Sequence, residues 1–563
     1  MEPNPSNGTP SPSLDIAIHS RLSRRYLSAF LFIHSDMEPS QKVDPTEAWA
    51  EQATGELGLA ANQEEHETNA WETVRKNPTL VGWCLFAVYT CLLVSFENQA
   101  AGLVLSVPRF RQDFGHKFGD EYVLDAAWQS AFFGGPIAST IVGTIASGYF
   151  ADRFGRKPLL IGAITLSFAA IAIELVAETN AMFFGGKFMN GFLLGVIMSV
   201  ALTFLGEITP LALRGILTCL NALMFTLGPL SASIIVERTG TYENRWAYRS
   251  VFAAQFAFSA VSFLVVFFMP ESPTWLLSVG NKDEKAIRSL KRLGYTDTEI
   301  PMKTAQIRRT LEQSKQETEG TTYLELFRGS NARRTIISIM PLSIQALGGV
   351  YFIGSYGTYY IQLAGYSVDD SFKMQIGQHG LAMFGNICSW FLVDRIGRRP
   401  LTFWGQFVLT IILMVCAGLA VQGSPGSIKG SVALIIMYNF FYNISIGATA
   451  YTLLVEVATS RLRVKTIAVG VAVQYLVYTV WAFVLPLLFN PDKANLGAKT
   501  AFIFGGLSTI SLVYLWFYQV ETAGRSYDEL DEMFMKGIGV REFKSYVTDV
   551  KSKGKAGSIT RSP

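Results

Sequence analysis

From about residue 80 onward the chain alternates between long apolar runs and shorter polar stretches. A hydrocarbon core about 30 Å thick needs roughly 20 apolar residues in a helix. Sliding that template along the chain predicts twelve membrane-spanning helices, at 80–105, 125–149, 158–178, 182–206, 213–236, 249–269, 335–362, 374–393, 401–422, 431–456, 466–489 and 499–519. The expected fold class is therefore an all-α membrane protein with one six-helix half over 80–269 and a second over 335–519. Between them, 270–334 carries alternating charge such as NKDEKAIRSLKRLG and TAQIRRTLEQSKQE, which suits short surface helices better than a folded domain. Residues 1–79 and 520–563 read as cytosolic tails. The basic cluster Arg21 to Arg25 is followed by YLSAFLF, too short a run for a signal peptide in front of so long a polar stretch. Met37 is as good a start as Met1, the first 36 residues read as a disordered extension, and the Asn7-Gly8-Thr9 sequon would face the cytosol.

Composition narrows the class. Half of the 563 residues are hydrophobic, 16% are charged and the mean hydropathy is +0.29, too apolar for an ordinary soluble protein. Net charge is only +3 and the basic residues are dispersed among apolar segments, so nucleic acid is not an expected partner. Cys84, Cys91, Cys219, Cys388 and Cys416 all fall within apolar segments, where neither a disulfide framework nor a metal-ligand spacing is expected. No phosphate-cradling glycine loop or nucleophile–base pair stands out, so neither an enzyme nor a cofactor is expected.

Internal repetition says more. GYFADRFGRKP at 148–158 returns as WFLVDRIGRRP at 390–400, and GEITPLALRG at 206–215 has its counterpart in VEVATSRLRVK at 455–465. Glu207 and Arg214 thereby match Glu456 and Arg463. Two motif pairs after corresponding spans predict a duplicated transporter with parallel halves. Asp152, Arg153, Arg156 and Lys157, with Glu207 and Arg214, are repeated as Asp394, Arg395, Arg398, Arg399, Glu456 and Arg463. Opposite charges at helix ends can close one side of such a protein and break when the halves rock open. They can also simply anchor helix ends. The basic residues of these loops and of the linker place them in the cytoplasm, although Arg109, Arg111, Arg238 and Arg245 lie in loops assigned outside.

These residues make the chain resemble the major facilitator superfamily, and within it the sugar porter family. Besides the paired D-R-x-G-R-R/K motifs, PESPTWL at 270–276 is similar to the family's P-E-S-P-R-W-L, and ETAGRSYDELDEMF at 521–534 to its terminal motif. YNFFYNISIG, SRLRVKT and FNPDKANLGAKT resemble the fungal branch that includes maltose-type permeases. The resemblance covers about residues 80 to 535 and implies a multi-pass protein, expected in the plasma membrane, that imports a sugar by alternating access. A glucose-like monosaccharide is the first expectation; a facilitator, or a carrier of an oligosaccharide, polyol or other metabolite, is the alternative. A sugar receptor is less favoured, because only about forty residues follow the last span.

Glu97 stands out in LVSFENQAAG because a carboxylate at the bilayer centre costs about 2.5–3.5 kcal/mol. It should face a polar cavity, pair with a cation or hold a proton; a wetted position near the outer mouth is the bland alternative. Counting back from Pro108, the resemblance places Glu97 on an aspartate associated with proton coupling, and Lys187, twenty residues before Glu207, on its arginine partner. That pair implies proton symport. A proton entering down about 100 mV gains roughly 2.3 kcal/mol, and one pH unit adds about 1.4 kcal/mol. Together they sustain a gradient of several hundredfold.

For the sugar itself, the resemblance implies Gln345 from the seventh span and Asn443 and Tyr451 from the tenth; in the fifth it places the family's glutamine position on Ala222, with Asn221 just before it as the candidate. Ala346 and Tyr351 replace the family's second glutamine and asparagine, so the preferred sugar can differ from that of typical hexose carriers. Amides in such spans serve helix contacts about as readily as ligands. Tyr356, Tyr359 and Tyr360 are expected as packing residues and His379 as a satisfied core histidine.

Overall fold

The computed structural model describes residues 70–548 except 120, 281, 319–321 and 526. The expected N-terminal tail up to residue 69, with its sequon and Met37, lies outside the described residues, as does the end of the C-terminal tail. The first half consists of α1 (Pro78–Leu105), α2 (Ala126–Phe154), α3 (Arg156–Val176), α4 (Asn180–Ile208), α5 (Arg214–Thr239) and α6 (Trp246–Val266). The second comprises α7 (Gly329–Leu347), α8 (Val350–Leu363), α9 (Val368–Ile396), α10 (Arg398–Gln422), α11 (Pro425–Ile444), α12 (Ile446–Val457), α13 (Arg463–Phe489) and α14 (Ala501–Tyr518). Side chains close several helix starts: Asp125 accepts from Ala127 N at 3.1 Å, Thr179 from Met182 N at 3.2 Å and Ser367 from Asp370 N at 3.1 Å.

Among the described residues eleven helical segments are long and apolar enough to cross a membrane. Standing apart is α9, whose 29 residues include Asp369, Asp370 and Lys373 at one end and Asp394 and Arg395 at the other. The stretch between those charged ends is long enough and uncharged, but Gln375, Gln378, His379 and Asn386 make it less apolar than the rest.

Two spans expected as single helices are broken. The seventh divides into α7 and α8 at Gly348 and Gly349, the latter left-handed at φ 92°. The Tyr438 hydroxyl donates to the Gly348 carbonyl at 2.6 Å, satisfying a group freed by the break where no water competes. The tenth divides into α11 and α12 at Ser445, whose φ of −116° and ψ of −105° leave the helical region. A template that counts apolar residues is blind to a break one residue long. The connection after α1 holds a short helix, Pro108–Phe114, and an antiparallel hairpin of β1 (His116–Phe118) and β2 (Glu121–Val123). The segment joining the halves forms the helices Pro273–Ser278, Asp283–Leu293 and Ile300–Thr318.

The halves meet through α1 against α8, α2 against α13 and α5 against α9. Their named contacts gather at the end opposite the repeated motifs. Gln129 donates to Asn490 at 2.8 Å, Gln362 to the Ser106 carbonyl at 2.8 Å and Gln99 to the Gly354 carbonyl at 3.1 Å. Arg111 donates to Gln362 at 3.1 Å and lies over the Tyr359 ring. Tyr356, Tyr359 and Tyr360 surround Phe489 there. Within the first half α2 crosses α4 so closely that a Cβ at Gly143 would collide with the Phe192 carbonyl, the small-residue packing used where no hydrophobic drive separates helix from lipid.

Candidate functional site

Charge is buried in the first half. Lys187 on α4 donates to Glu97 Oε1 on α1 at 2.5 Å, and its Nζ lies 3.2 Å from Glu174 Oε2 on α3. The three side chains are 1%, 4% and 0% exposed respectively. Glu174 Oε1 accepts from Asn190 Nδ2 at 3.2 Å, and Asn190 Oδ1 accepts from Ser167 at 2.9 Å. Lys187 Nζ also sits 4.8 Å from the Phe252 ring centroid and 5.7 Å from that of Phe183. Phe110, Phe114, Phe132 and Tyr248 pack around Phe183 and seal the group from the end where the halves meet. In this conformation Glu97 is thus a sealed group, not one at a wetted mouth. Glu174 was missed from the sequence, although a carboxylate inside the predicted span 158–178, short of the Glu178 that closes it, satisfies the same test that singled out Glu97.

Away from its motif end, the second half is polar without being charged. Tyr451 on α12 donates to Gln474 Oε1 on α13 at 3.0 Å, and Gln474 Nε2 donates to Gln345 Oε1 on α7. Gln474 was not among the expected residues; it lies in VAVQYLVYTV, where the resemblance marked no position. Around this chain stand aromatic rings, with Tyr351 stacked on Tyr478 at 5.7 Å and Tyr438 on Tyr442 at 6.1 Å. Asn443 is turned into its own helix, donating to the Asn439 carbonyl at 2.9 Å. Asn221 on α5 is half-buried and its Oδ1 has no hydrogen-bond partner. His379 is buried and shares a 2.9 Å hydrogen bond with Gln375. Neutral amides, hydroxyls and ring faces are what a sugar's hydroxyls and apolar faces require.

The repeated motifs build the same device twice. In the first half Arg156 donates through Nη2 and Nε to both oxygens of Glu207, at 2.7 and 3.2 Å, and approaches Asp152 at 3.5 Å. In the second half Arg398 donates to Glu456 at 3.0 Å, and Thr522 donates to the other Glu456 oxygen at 2.5 Å. Glu271 accepts from the backbone N of Arg156 at 2.9 Å, and Glu521 from that of Arg398 at 3.0 Å, so each carboxylate caps a helix start. Gly155 and Gly397 precede those starts at φ 97° and 98°, a backbone that disfavours any side chain. Lys157 donates to the Phe267 carbonyl at 2.7 Å and Arg399 to that of Trp516 at 2.9 Å. Every bond named here lies inside one half. The caps Glu271 and Glu521 were quoted within motifs but not assigned a task; their matching places after the sixth and twelfth spans were the available signal. Arg153 is exposed near Tyr149, and Arg395 and Arg214 are exposed. Arg463 is half-buried beside Arg334, while the Asp394 side chain lies outside the described residues.

Residues 83–534 match the family described as "Sugar (and other) transporter". The general alpha-glucoside permease of Saccharomyces cerevisiae is 27% identical over 504 residues, covering 88% of this chain and 82% of its own. The alpha-glucosides permease MPH2 of the same organism is 31% identical over 499 residues, covering 86% and 81%. In structure the chain is similar to the inward-open xylose transporter XylE from E. coli, with a TM-score of 0.65 and 19% identity over 80% of this chain and 99% of that one. With two duplicated halves, paired motif networks and a match along most of its length, the chain belongs to the sugar transporter family of the major facilitator superfamily.

Proposed function

We propose that this sugar transporter imports an α-linked glucosyl sugar by alternating access, driven by a proton. The observation that carries the reading is the Tyr451–Gln474–Gln345 chain, three neutral polar groups from three helices beside a tyrosine wall. Relatives that are alpha-glucoside permeases support a glucosyl oligosaccharide over the free hexose first expected from the sequence. The dense basic residues of the motif end favour the cytoplasm for that face, so contacts between the halves at the other end correspond to a carrier closed to the outside. The Glu97–Lys187 pair supports proton symport, because a buried carboxylate whose cation comes and goes can take up and release a proton. The decisive measurement is uptake of radiolabelled maltose and glucose by cells lacking their own carriers, with and without a protonophore. Accumulation of maltose above the outside level, abolished by the protonophore, is expected. Equal inside and outside levels in both conditions would make it a facilitator, and no uptake or competition by any sugar would overturn the importer. Glu97→Gln is expected to abolish uphill accumulation while keeping counterflow exchange.

A further inference from the structure

We propose that Glu174 is a second proton-carrying group, so that Glu97, Lys187 and Glu174 form one site holding a single exchangeable proton between two carboxylates. The inference rests on the symport reading and deepens it. Two carboxylates share one ammonium here, in a site whose members are at most 4% exposed. With all three ionised, one negative charge stands in excess. A dry site does not keep such a charge; it takes a proton instead.

The geometry says where. Glu97 Oε2 is buried with no hydrogen-bond partner, and Glu174 Oε2 has only Lys187 Nζ beside it, at 3.2 Å. The closer ion pair is with Glu97, at 2.5 Å, and the other polar contact of Glu174 is the neutral Asn190 amide. Glu174 is therefore the carboxyl that carries the proton in this conformation, with Glu97 and Lys187 left as a charged pair. A carboxylate oxygen gains a proton from water on the outer side, becomes a neutral acid, and returns the proton to water on the inner side; no other bond changes.

No competing charge explains the arrangement. The charged groups acting on Glu174 are Glu97 and Lys187, and those acting on Lys187 are the two glutamates. From α6, Lys187 meets the Phe252 ring; higher on that helix Arg245 pairs with Asp113 and Glu178, while Tyr248 donates to Asp113 and has Arg249 beside it. The face of α2 toward the group brings Phe132 onto Phe183, and α5 brings Gly228 against Ser95 on α1. Sealed under its aromatic cap, the triad can keep a proton while the halves rock.

The test is infrared spectroscopy of the purified full chain at neutral pH, reading the carbonyl stretch of a protonated carboxylic acid in a water-free setting. The unaltered protein is expected to show one such group. Glu174→Gln and Glu97→Gln should each lose it, since one carboxylate then matches one ammonium, whereas Lys187→Gln should double it. Glu174→Asp retains a carboxyl and should retain the signal. A signal unchanged in Glu174→Gln, or none in the unaltered protein, overturns the proposal. Because the readout uses no sugar, it separates the two claims. The expected spectra without proton-driven uptake would sink symport alone, and proton-driven uptake with an unchanged Glu174→Gln signal would sink the triad alone.

Discussion

The two halves repeat one another at the motif end and part company in the middle of the membrane. Spans one and four run unbroken and, with Glu174 of span three, hold a buried lysine between two glutamates, while their counterparts, seven and ten, are each broken and carry amides and tyrosines. The difference follows from what each medium tolerates. Charge in the bilayer needs an opposite charge close by and a rigid frame to keep it there. A ligand made of hydroxyls instead needs groups that can exchange one neutral hydrogen bond for another, and a carbonyl freed at a break holds such a bond, as Gly348 does from Tyr438. On the proposed function, the first half holds the proton and the second the sugar.

That division can be broken at several points. The largest effect is expected from Lys187→Met, which leaves the ionised Glu97 buried without its cation and should cost about 3–5 kcal/mol of stability. Thermal unfolding of the purified protein checks it, and adding Glu97→Gln and Glu174→Gln together should restore most of the loss. An equal loss from Gln345→Ala would erase the contrast between the halves. Next is Arg156→Lys, which removes a two-point contact to Glu207 and should lower stability by about 1.5–3 kcal/mol. Arg398→Lys should cost less, because one nitrogen reaches Glu456 and Thr522 stays on the other oxygen. Gln474→Ala should raise the KM for maltose uptake about five- to tenfold, the worth of roughly 1 kcal/mol for neutral hydrogen bonds. Its unfolding temperature should barely move. Smallest is Asp152→Asn: that side chain is 81% exposed, and its 3.5 Å contact to Arg156 should contribute less than about 1 kcal/mol.

The duplication, the fold class and the Glu97–Lys187 contact were all legible in the sequence. Apolar length and motif spacing survive any rearrangement of side chains, and a charge inside an apolar run advertises its need for a partner. Other features were not legible for particular reasons. The breaks at Gly349 and Ser445 leave the hydropathy of their spans unchanged. Gln474 sits on a helix where nothing repeats it in the other half. Asn443 occupies the expected position yet bonds its own helix, since sequence position fixes a residue's face but not its hydrogen-bond partner. Glu174 could have been found; attention to motif positions passed over a residue outside every motif.

The carboxylate caps have a consequence for how the chain can be handled. Glu271 lies just beyond α6 and Glu521 just beyond α14, yet each is bonded to the start of a helix three spans earlier in its own half. The first residues of the linker and of the tail are therefore fastened parts of the two bodies. A truncation at 519 would strip the second half of Glu521 and Thr522, whereas a reporter fused after 548 leaves both in place. By the same logic, a cut just after Thr318 divides the chain into two polypeptides, each keeping its complete set of fastenings. Separately expressed, such fragments have what they need to assemble.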